Sequence, residues 1–505
     1  MDPESIDGHP AKHALLIGCS YAQNLPGTGN DVEAMAKLLK TFGFNDENTI
    51  KKLCGPAATR EGILLEFKRL ISRTSANDSV VIYYSGHGAS ITLDSGPEEG
   101  KTIQFLVPSD FEQDHEVFQG ILDSEISKLL KALTDRTHNV TYILDCCHSA
   151  RLGRAPPSKH THGATAAETW EKAWAFKEES QSDFYSDLLT THIQKLRKEG
   201  KLLENDNWSN PMVVRIAAAA ADETAWQYKN RKGLHVGIMT EKLAQIMTEV
   251  SSYPVDQGAS MSELSWRSIM MGVKALVELE FPEQKLPQKP RSGGADTRIP
   301  FDLITVESAA LLAVVEESRV MLQGGRVHGV DKDDTYVLVP FTSEKSETSI
   351  IVTVKRVQGF RALVTGVPPE QLLFTQALAL PCTREKRWPI SVPQHLSQVH
   401  SQLIKSQFLE PDTRSTTDGV RIQHGESTNE IFLYGGETQL GSGNRDDASS
   451  IKGLLSRAQA FAQAQDFVEL KRGQDTEWLN IGLKIDIGVF VDDDENLLTH
   501  YNNDG

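Results

Sequence analysis

Short apolar runs alternate with amphipathic segments over residues 12–145, and this rhythm is typical of βαβ units stacked into a largely parallel sheet. The apolar runs at 13–18, 80–84 and 140–144 are the predicted strands. The segments between them repeat apolar residues at helical spacing. The predicted inward helix faces consist of Val32, Met35, Leu38 and Leu39, then Ile63, Leu64, Phe67, Leu70 and Ile71, then Ile126, Leu129, Leu130 and Leu133. The third helix is expected to begin after Asp123 or Ser124, either of which could cap it.

The pattern changes twice further along the chain. Residues 151–210 contain a Pro- and His-bearing loop and a charged helix-like stretch, which together read as an insertion. A buried strand within 212–221 and helices near 234–249 and 261–279 then resume the α/β pattern. The sequence therefore predicts one α/β domain over 1–303, built on an open, largely parallel sheet flanked by helices.

The sequence beyond this domain contains many short predicted strands. Runs such as TYVLVPF, SIIVTVKRV and RALVTGV are separated by Gly, Asp and Ser clusters, which predicts a small β-barrel or sandwich over 304–395. Residues 396–505 mix weak strands with one helix near 450–471, so a mixed α/β C-terminal region is expected.

Composition restricts the partners and the compartment. The 505 residues carry a net charge of −17, and contacts to nucleic-acid phosphates need clustered Lys and Arg, so no nucleic-acid partner is expected. No run of about 18 apolar residues and no secretory signal pattern occurs, so no membrane partner is expected. The five cysteines lack metal-ligand spacing and two are adjacent, which favours a reducing, cytoplasmic location. Oligomeric state has no readable signal.

Two predicted strands end in unusual polar clusters. VVIYYSGHG places His87 just past one strand, and TYILDCCHSA places Cys147 just past another. Reactive groups of open α/β sheets belong at the carboxyl ends of the strands. Cysteine attack on an amide needs a thiolate, a base beside the sulfur and donors for the oxyanion. His87 is the predicted base, and the backbone N–H groups of Gly88 and Cys147 are the predicted oxyanion donors, with Gly88 allowing a tight turn.

Simpler interpretations of the same residues remain open at this point. Cys147 alone could be a buried structural thiol, and Cys146 is expected to point into the sheet's packing. A metal trio of Cys146, Cys147 and His148 is geometrically awkward. A Gly27-Thr28-Gly29 sequence lacks the third glycine and the Lys-Ser/Thr of nucleotide loops. Trp170, Trp174 and Trp226 are expected to be packing residues.

YSGHG, DCCHS and the opening ALLIG with LPGTGNDVEAMAKLL resemble the metacaspase branch of the caspase-like peptidases. The QACRG signature of true caspases is absent. The resemblance covers about residues 12–303, including AAAAADETA and QKPRSGGADTRIPF. It implies a caspase-like fold, a catalytic dyad of His87 and Cys147, and cleavage of protein or peptide substrates after Arg or Lys. By analogy it also implies a role in cell death or stress.

The same resemblance assigns Asp31, Ser85 and Asp145 to an acidic substrate-binding pocket. Asp31 could also cap the helix that begins near Asn30, and the two roles can coexist. Ser85 could instead satisfy backbone groups after its strand. A carboxylate two residues before a nucleophilic thiol should raise the thiol pKa, and a bound cation would relieve that penalty. Asp145 is therefore expected to be a substrate ligand rather than a catalytic partner.

Regulation is the least determined property. Calcium-dependent metacaspases carry an aspartate-rich stretch and paired aspartates, for which this chain has only Asp94, Glu98, Glu99 and Asp123. No cofactor is therefore predicted to be required, and calcium activation stays open. Self-cleavage of the insertion is expected instead, with Lys195, Arg197, Lys198 and Lys201 as plausible targets.

Two other functions compete with a protease. A caspase-like fold could be retained as a catalytically weak scaffold or protein-interaction module, with the β-rich half carrying the recognition surface. A cysteine hydrolase or transpeptidase acting on another acyl group is the third possibility. Turnover of Arg- or Lys-terminated peptides separates these functions.

Overall fold

The computed structural model describes residues 10–20, 25–45, 49–94, 99–111, 116–147, 169–172, 179–202, 210–220, 223–251, 264–280, 288–306, 310–341, 350–367, 374–383, 387–404, 406, 408–412, 419–425 and 429–468. The α/β part contains, in chain order, β1 (Lys12–Gly18), α1 (Thr28–Thr41), β2 (Ile50–Cys54), α2 (Arg60–Arg73), β3 (Ser79–Ser85), β4 (Gly88–Thr92), β5 (Thr102–Leu106), β6 (Ile121–Leu122), α3 (Asp123–Thr134), β7 (Val140–Asp145), β8 (Thr169–Glu171), α4 (Glu179–Lys198), β9 (Val213–Ala217), β10 (Trp226–Lys229), β11 (His235–Gly237), α5 (Ile238–Ser251), α6 (Trp266–Glu280) and β12 (Arg291–Gly294).

A six-stranded sheet in the order β12-β9-β7-β3-β1-β2 forms the centre of this part. Its strands are parallel except for β12, which runs antiparallel to β9. Apolar side chains of α1, α5 and α6 cover one face, and those of α2 and α3 cover the other. A sheet buried on both faces needs near-continuous apolar strands, which is why β3 and β7 are fully buried runs. The predicted fold class is confirmed.

The sequence analysis missed one strand and misplaced the start of one helix. Strand β2 was not expected, because only Leu53 of its sequence is well buried while Lys51 and Lys52 face solvent at the sheet edge. Helix α3 begins at Asp123 itself, with Leu122 as its N-cap residue. The carboxylate of Glu125 accepts the Leu122 N–H at 3.1 Å, so neither Asp123 nor Ser124 caps the helix.

Two three-stranded antiparallel sheets flank the carboxyl edge of the central sheet. The first, β4-β5-β6, packs against helix α4 through a separate apolar cluster. The second has the order β11-β10-β8. Both meet the loops that follow β3 and β7, so they form the walls around the ends of the two central strands.

The remaining described strands form two further units. The strands β13 (Leu311–Glu316), β14 (Arg319–Leu322), β15 (Thr335–Pro340), β16 (Ile350–Val357), β17 (Ala362–Thr365) and β18 (Gln376–Thr383) close into a barrel. A five-stranded sheet and two helices follow: β19 (Trp388–Ser391), α7 (Ser397–Leu403), β20 (Leu409–Pro411), β21 (Val420–His424), β22 (Glu430–Gly435), β23 (Thr438–Asn444) and α8 (Ala448–Val468). Val337 and Leu378 of the barrel share an apolar cluster with Ile269 of α6. The domain boundaries stay predictions.

Across the described parts of the chain, no helix combines the length and the apolar character that a membrane crossing requires.

Candidate active site

The two polar clusters predicted from the sequence lie side by side. Strands β3 and β7 are adjacent and parallel, with Ser85 directly opposite Asp145. His87 and Cys147 each follow two residues later, and both are almost completely buried. The parallel register therefore delivers the imidazole-bearing and thiol-bearing segments to the same edge of the sheet.

The backbone around His87 is held firmly. Its carbonyl oxygen accepts hydrogen bonds from the Tyr84 hydroxyl at 2.8 Å and from the Val107 N–H at 3.1 Å. Burial lowers the pKa of the imidazole to about 4, although a hydrogen bond with the Lys172 backbone opposes that effect. At neutral pH the His87 ring is therefore neutral in this state, as a proton acceptor must be.

The Cys147 sulfur lies against strand β10. The Ala225 N–H donates to Sγ at 2.9 Å, just before that strand begins. Burial raises the pKa of the thiol to about 12, Glu171 and Asp145 add to the rise, and Lys172 opposes it. The expected effect of Asp145 on the thiol pKa has the predicted sign but is smaller than that of burial. Cys146 belongs to the apolar cluster on the opposite face, so its side chain packs inside the sheet as expected.

Position 88 requires glycine because the backbone there lies very close to the Cys147 backbone, not because the chain turns there. It begins β4 with an ordinary backbone conformation, since its φ is not among the positive ones. A Cβ at this position would lie 1.8 Å from the Cys147 carbonyl oxygen. Only glycine therefore lets β4 come this close to the segment that carries Cys147.

Asp31, Ser85 and Asp145 surround a buried lysine from the insertion. Lys172 is completely buried, and its Nζ lies 3.0 Å from Asp31 Oδ2, 3.0 Å from Asp145 Oδ1 and 3.0 Å from Ser85 Oγ. Burial alone would lower the pKa of Lys172, but Asp145 and Asp31 outweigh it and raise that pKa. Burial raises the pKa of Asp31, which Lys172 opposes. Cation and carboxylates are thus mutually dependent, and removing either partner would leave an uncompensated buried charge.

Further groups orient the two carboxylates. The Gly237 N–H donates to Asp31 Oδ1 at 2.7 Å, and the Thr240 hydroxyl donates to Asp145 Oδ2 at 2.5 Å. Tyr83 hydrogen-bonds Thr240 at 2.6 Å. Gly237 also leaves the room that the ammonium fills, because a Cβ there would lie 2.5 Å from Lys172 Nζ.

The structure decides between the alternative roles of two pocket residues. Helix α1 begins at Thr28 after Gly27, with no side-chain cap, so Asp31 lies in the first turn and is not the cap. The Ser85 hydroxyl donates to Asp31 Oδ2 at 2.7 Å, so it serves the pocket rather than the backbone.

The backbone of Lys172 is bound as tightly as its side chain. Residues Thr169–Glu171 form β8, which pairs antiparallel with β10. The Lys172 N–H continues that pairing by donating to the Ala225 carbonyl at 2.9 Å. Its own carbonyl oxygen lies 3.1 Å from the Gly88 nitrogen and 3.4 Å from the Cys147 nitrogen. Two N–H groups therefore converge on one carbonyl beside Cys147, as they do in an oxyanion site.

Residues 12–156 match the family model described as "Metacaspase, peptidase C14 domain". This part of the chain is thus similar to metacaspase peptidase domains. The chain is 34% identical over 150 residues to Metacaspase III c of Phaeodactylum tricornutum, covering 28% of this chain and 43% of that protein. It is 30% identical to Metacaspase-1 of Meyerozyma guilliermondii, covering 42% of this chain and 53% of that protein. It is 22% identical to Metacaspase-1 of Scheffersomyces stipitis, covering 57% and 73%. The chain thus spans about half the length of the first and second of these relatives.

The sequence did not identify the lysine that lies between Asp31 and Asp145. Lys172 has no local signal, because its burial depends on carboxylates far away in the sequence.

The basic residues expected as self-cleavage targets lie elsewhere: Lys195, Arg197 and Lys198 form the last turn of α4, and Lys201 follows it. A helical segment must unwind before it can bind as an extended strand. Trp170, which was expected to be a packing residue, is half-buried in β8 and contacts the His235 ring. Trp226 is buried as expected, and Trp174 lies outside the described residues.

In the described parts of the chain, no three His, Cys, Asp or Glu side chains are grouped so that they could hold a metal ion. Asp94 and Glu99 are exposed, Asp123 starts α3, and Glu98 lies outside the described residues, as does His148. The three described carboxylates, Asp94, Glu99 and Asp123, are not grouped into the convergent set that calcium prefers. Calcium activation stays an open prediction.

Proposed function

We propose that this chain is a cysteine endopeptidase that cleaves peptide bonds after Lys or Arg. One observation carries the proposal: Lys172 has its ammonium between Asp31 and Asp145 and its carbonyl oxygen at the Gly88 and Cys147 N–H groups. A substrate residue before a scissile bond would make the same contacts. An arginine can engage the same two carboxylates, because its guanidinium presents several donors.

Catalysis would use the groups around that carbonyl. His87 accepts the Cys147 thiol proton as the sulfur attacks the carbonyl carbon, and the N–H groups of Gly88 and Cys147 stabilise the oxyanion. As the C–N bond breaks, His87 gives the thiol's proton to the leaving amine. Water, deprotonated by His87, then attacks the thioester, which releases the acid product and restores the thiol. Because Cys147 is a free thiol, the proposal also places the enzyme in a reducing compartment such as the cytoplasm.

Self-processing follows from the same arrangement. The Lys172 carbonyl occupies the place of a scissile carbonyl in the proposed mechanism, so the bond between Lys172 and Ala173 is the one expected to be cut. The segment that fills the pocket would therefore be the enzyme's first substrate and, until it is cut and displaced, its inhibitor.

Fluorogenic peptides test the proposal in a protein whose pocket is not filled by its own lysine. Lys172→Asp should release the segment, because a third carboxylate beside Asp31 and Asp145 is repelled. Peptides ending in Lys or Arg should be hydrolysed at least about a hundredfold faster than peptides ending in norleucine, as expected for a buried ion pair. Adding Cys147→Ala should abolish turnover, and adding Asp145→Asn should remove the Lys preference. Exposed Asp135→Asn is the matched control.

Equal turnover of Lys and norleucine peptides, or turnover that survives Cys147→Ala, would refute the proposal. Parallel assays with calcium and with a chelator would show whether the open question of calcium activation matters for this chain. Absence of turnover in every arm would favour the scaffold alternative.

A further inference from the structure

The substrate-like segment is recognised over more than its lysine. Trp170 of β8 lies opposite Gln227 of β10, and Gln227 lies in turn opposite Gly237 of β11. Residues directly opposite each other in antiparallel strands project from the same face of a sheet. Trp170, like Lys172 two residues later, therefore lies on the face that carries the acidic pocket.

We propose that His235 forms an aromatic-binding subsite, so that preferred substrates carry an aromatic residue two positions before the cleaved Lys or Arg. This inference rests on the proposed peptidase function and adds a second determinant of its substrate class. The relevant contact is the one between the rings of Trp170 and His235, whose centroids are 4.6 Å apart at an interplanar angle of 52°.

The spacing of the two subsites matches the spacing of a peptide strand. His235 and Gly237 are two residues apart on β11 and so project to the same side, about 7 Å from each other. Gly237 borders the lysine pocket and His235 contacts the tryptophan. Lys172 and Trp170 are also two residues apart, so one extended peptide reaches both subsites without distortion.

Strand β11, which carries His235 and Gly237, is held in place by contacts that do not involve the bound segment. The side-chain amide of Asn30 donates to the His235 carbonyl at 2.9 Å, and the Gly237 N–H donates to Asp31. Both bonds anchor β11 to the first turn of α1, which is part of the main fold. His235 is half-buried, so it offers a ring face without being sealed in the core. A rigid ring at a fixed distance from the lysine pocket favours a substrate residue whose side chain is flat and polarisable. The energy gained from such an aromatic pair is modest.

A simple packing contact that only holds the insertion in place would also bring the two rings together. The two explanations differ for peptides added in trans, because a packing contact confined to the insertion does not affect them. The Lys172→Asp protein makes this test possible, since its own segment no longer competes.

Turnover of three peptides provides the first readout. Thr-Trp-Glu-Lys, Thr-Leu-Glu-Lys and Thr-Ala-Glu-Lys, each with the same amide reporter, are compared by kcat/KM in Lys172→Asp protein. We expect the tryptophan peptide to exceed the alanine peptide by about three- to tenfold, with leucine between them. His235→Ala should remove that preference, because the ring that contacts the aromatic residue is then absent. His235→Phe should retain the preference, and exposed Leu234→Ala is the matched control.

Binding provides a second readout that does not need catalysis. Anisotropy of the same peptides, labelled at the amino end, is measured with the Cys147→Ala, Lys172→Asp protein. Selective binding of the tryptophan peptide that is lost with His235→Ala supports the subsite. If this binding is seen but no protein that retains Cys147 cleaves any peptide, only the proposed peptidase function fails. Equal affinities and equal rates for the tryptophan and alanine peptides overturn the subsite, as does a preference that persists in His235→Ala protein.

Discussion

Two parts of the insertion, strand β8 with Lys172 and helix α4, are held to the same domain by different forces. Strand β8 is bound by main-chain hydrogen bonds to β10 and by one buried ammonium. Helix α4 instead contributes Tyr185, Leu189, Ile193 and Leu196 to an apolar cluster with the β4-β5-β6 sheet. Under the proposed function, an extended peptide with a basic residue would reproduce the first set of contacts, whereas the second belongs to the core.

If the chain acts as proposed, this difference lets the insertion regulate the site while the protein stays folded. Cutting after Lys172 would separate β8 from α4 covalently, yet α4 would remain packed on its sheet because burial of apolar side chains holds it. Strands β7 and β9, which lie on either side of the insertion in sequence, are also directly paired. The two fragments should therefore stay associated, and only the polar, replaceable contacts of β8 would be exchanged for substrate.

The largest expected effect is on the reactivity of Cys147. Burial beneath the bound segment raises its pKa to about 12, so at about pH 8 the thiolate fraction is roughly a thousandfold below that of an ordinary cysteine. Lys172→Asp should expose the sulfur and raise its iodoacetamide alkylation rate by about that factor, measured by peptide mass in uncleaved chains. Lys172→Arg should stay slow, and half-buried Cys54 should react equally in all three proteins. Equally rapid alkylation of Cys147 in uncleaved wild-type protein would contradict the account.

The second largest expected effect is on the free energy of unfolding, which a substitution in α4 should lower more than a substitution in β8. Leu189 is fully buried, so Leu189→Ala should lower the free energy of unfolding by about 2 to 5 kcal/mol. Trp170→Ala should cost roughly 1 kcal/mol or less, since its contacts are half-exposed. Urea titrations in a Cys147→Ala background avoid self-cleavage, and exposed Phe184→Ala on the same helix is the control. Similar losses for Leu189→Ala and Trp170→Ala would remove the proposed distinction.

The smallest expected effect is on the rate of self-cleavage, when the charge of Glu171 is removed. Glu171 raises the pKa of the Cys147 thiol, so removing its charge lowers that pKa and increases the thiolate fraction at neutral pH. Glu171→Gln should therefore accelerate self-cleavage by about two- to fivefold, measured by the disappearance of intact chain on denaturing gels. Exposed Glu61→Gln should leave the rate unchanged. A slower reaction in Glu171→Gln protein would show that Glu171 assists cleavage instead.

Local patterns were enough to predict the four inner strands of the central sheet, and they were not enough to predict the pocket's occupant. Strands β3 and β7 were readable because both faces of the sheet are buried, so their sequences are continuous apolar runs ending in polar clusters. The acidic pocket came from a family resemblance rather than from spacing. Edge strand β2 escaped notice because two lysines interrupt its apolar pattern.

Lys172 shows why the remainder could not be read from the sequence. A lysine in a charged segment is ordinarily solvated, and nothing near it in sequence indicates complete burial. Its environment is set by Asp31 and Ser85, which are 141 and 87 residues away in the chain. Only the tertiary structure brings these partners together, and the same holds for Gly237 and Thr240, which complete the pocket.

The bond after Lys172 offers the most direct test of the central claim. Intact mass measurement of freshly purified wild-type chain, followed over time, should show fragments corresponding to residues 1–172 and 173–505, with Ala173 as the new N-terminus. Lys172→Arg should give the same fragments, whereas Lys172→Ala and Cys147→Ala should remain uncut there and Lys198→Ala should behave as wild type. Cleavage after Lys172 in the Cys147→Ala protein incubated alone, or wild-type chain that is cut only elsewhere, would contradict the account.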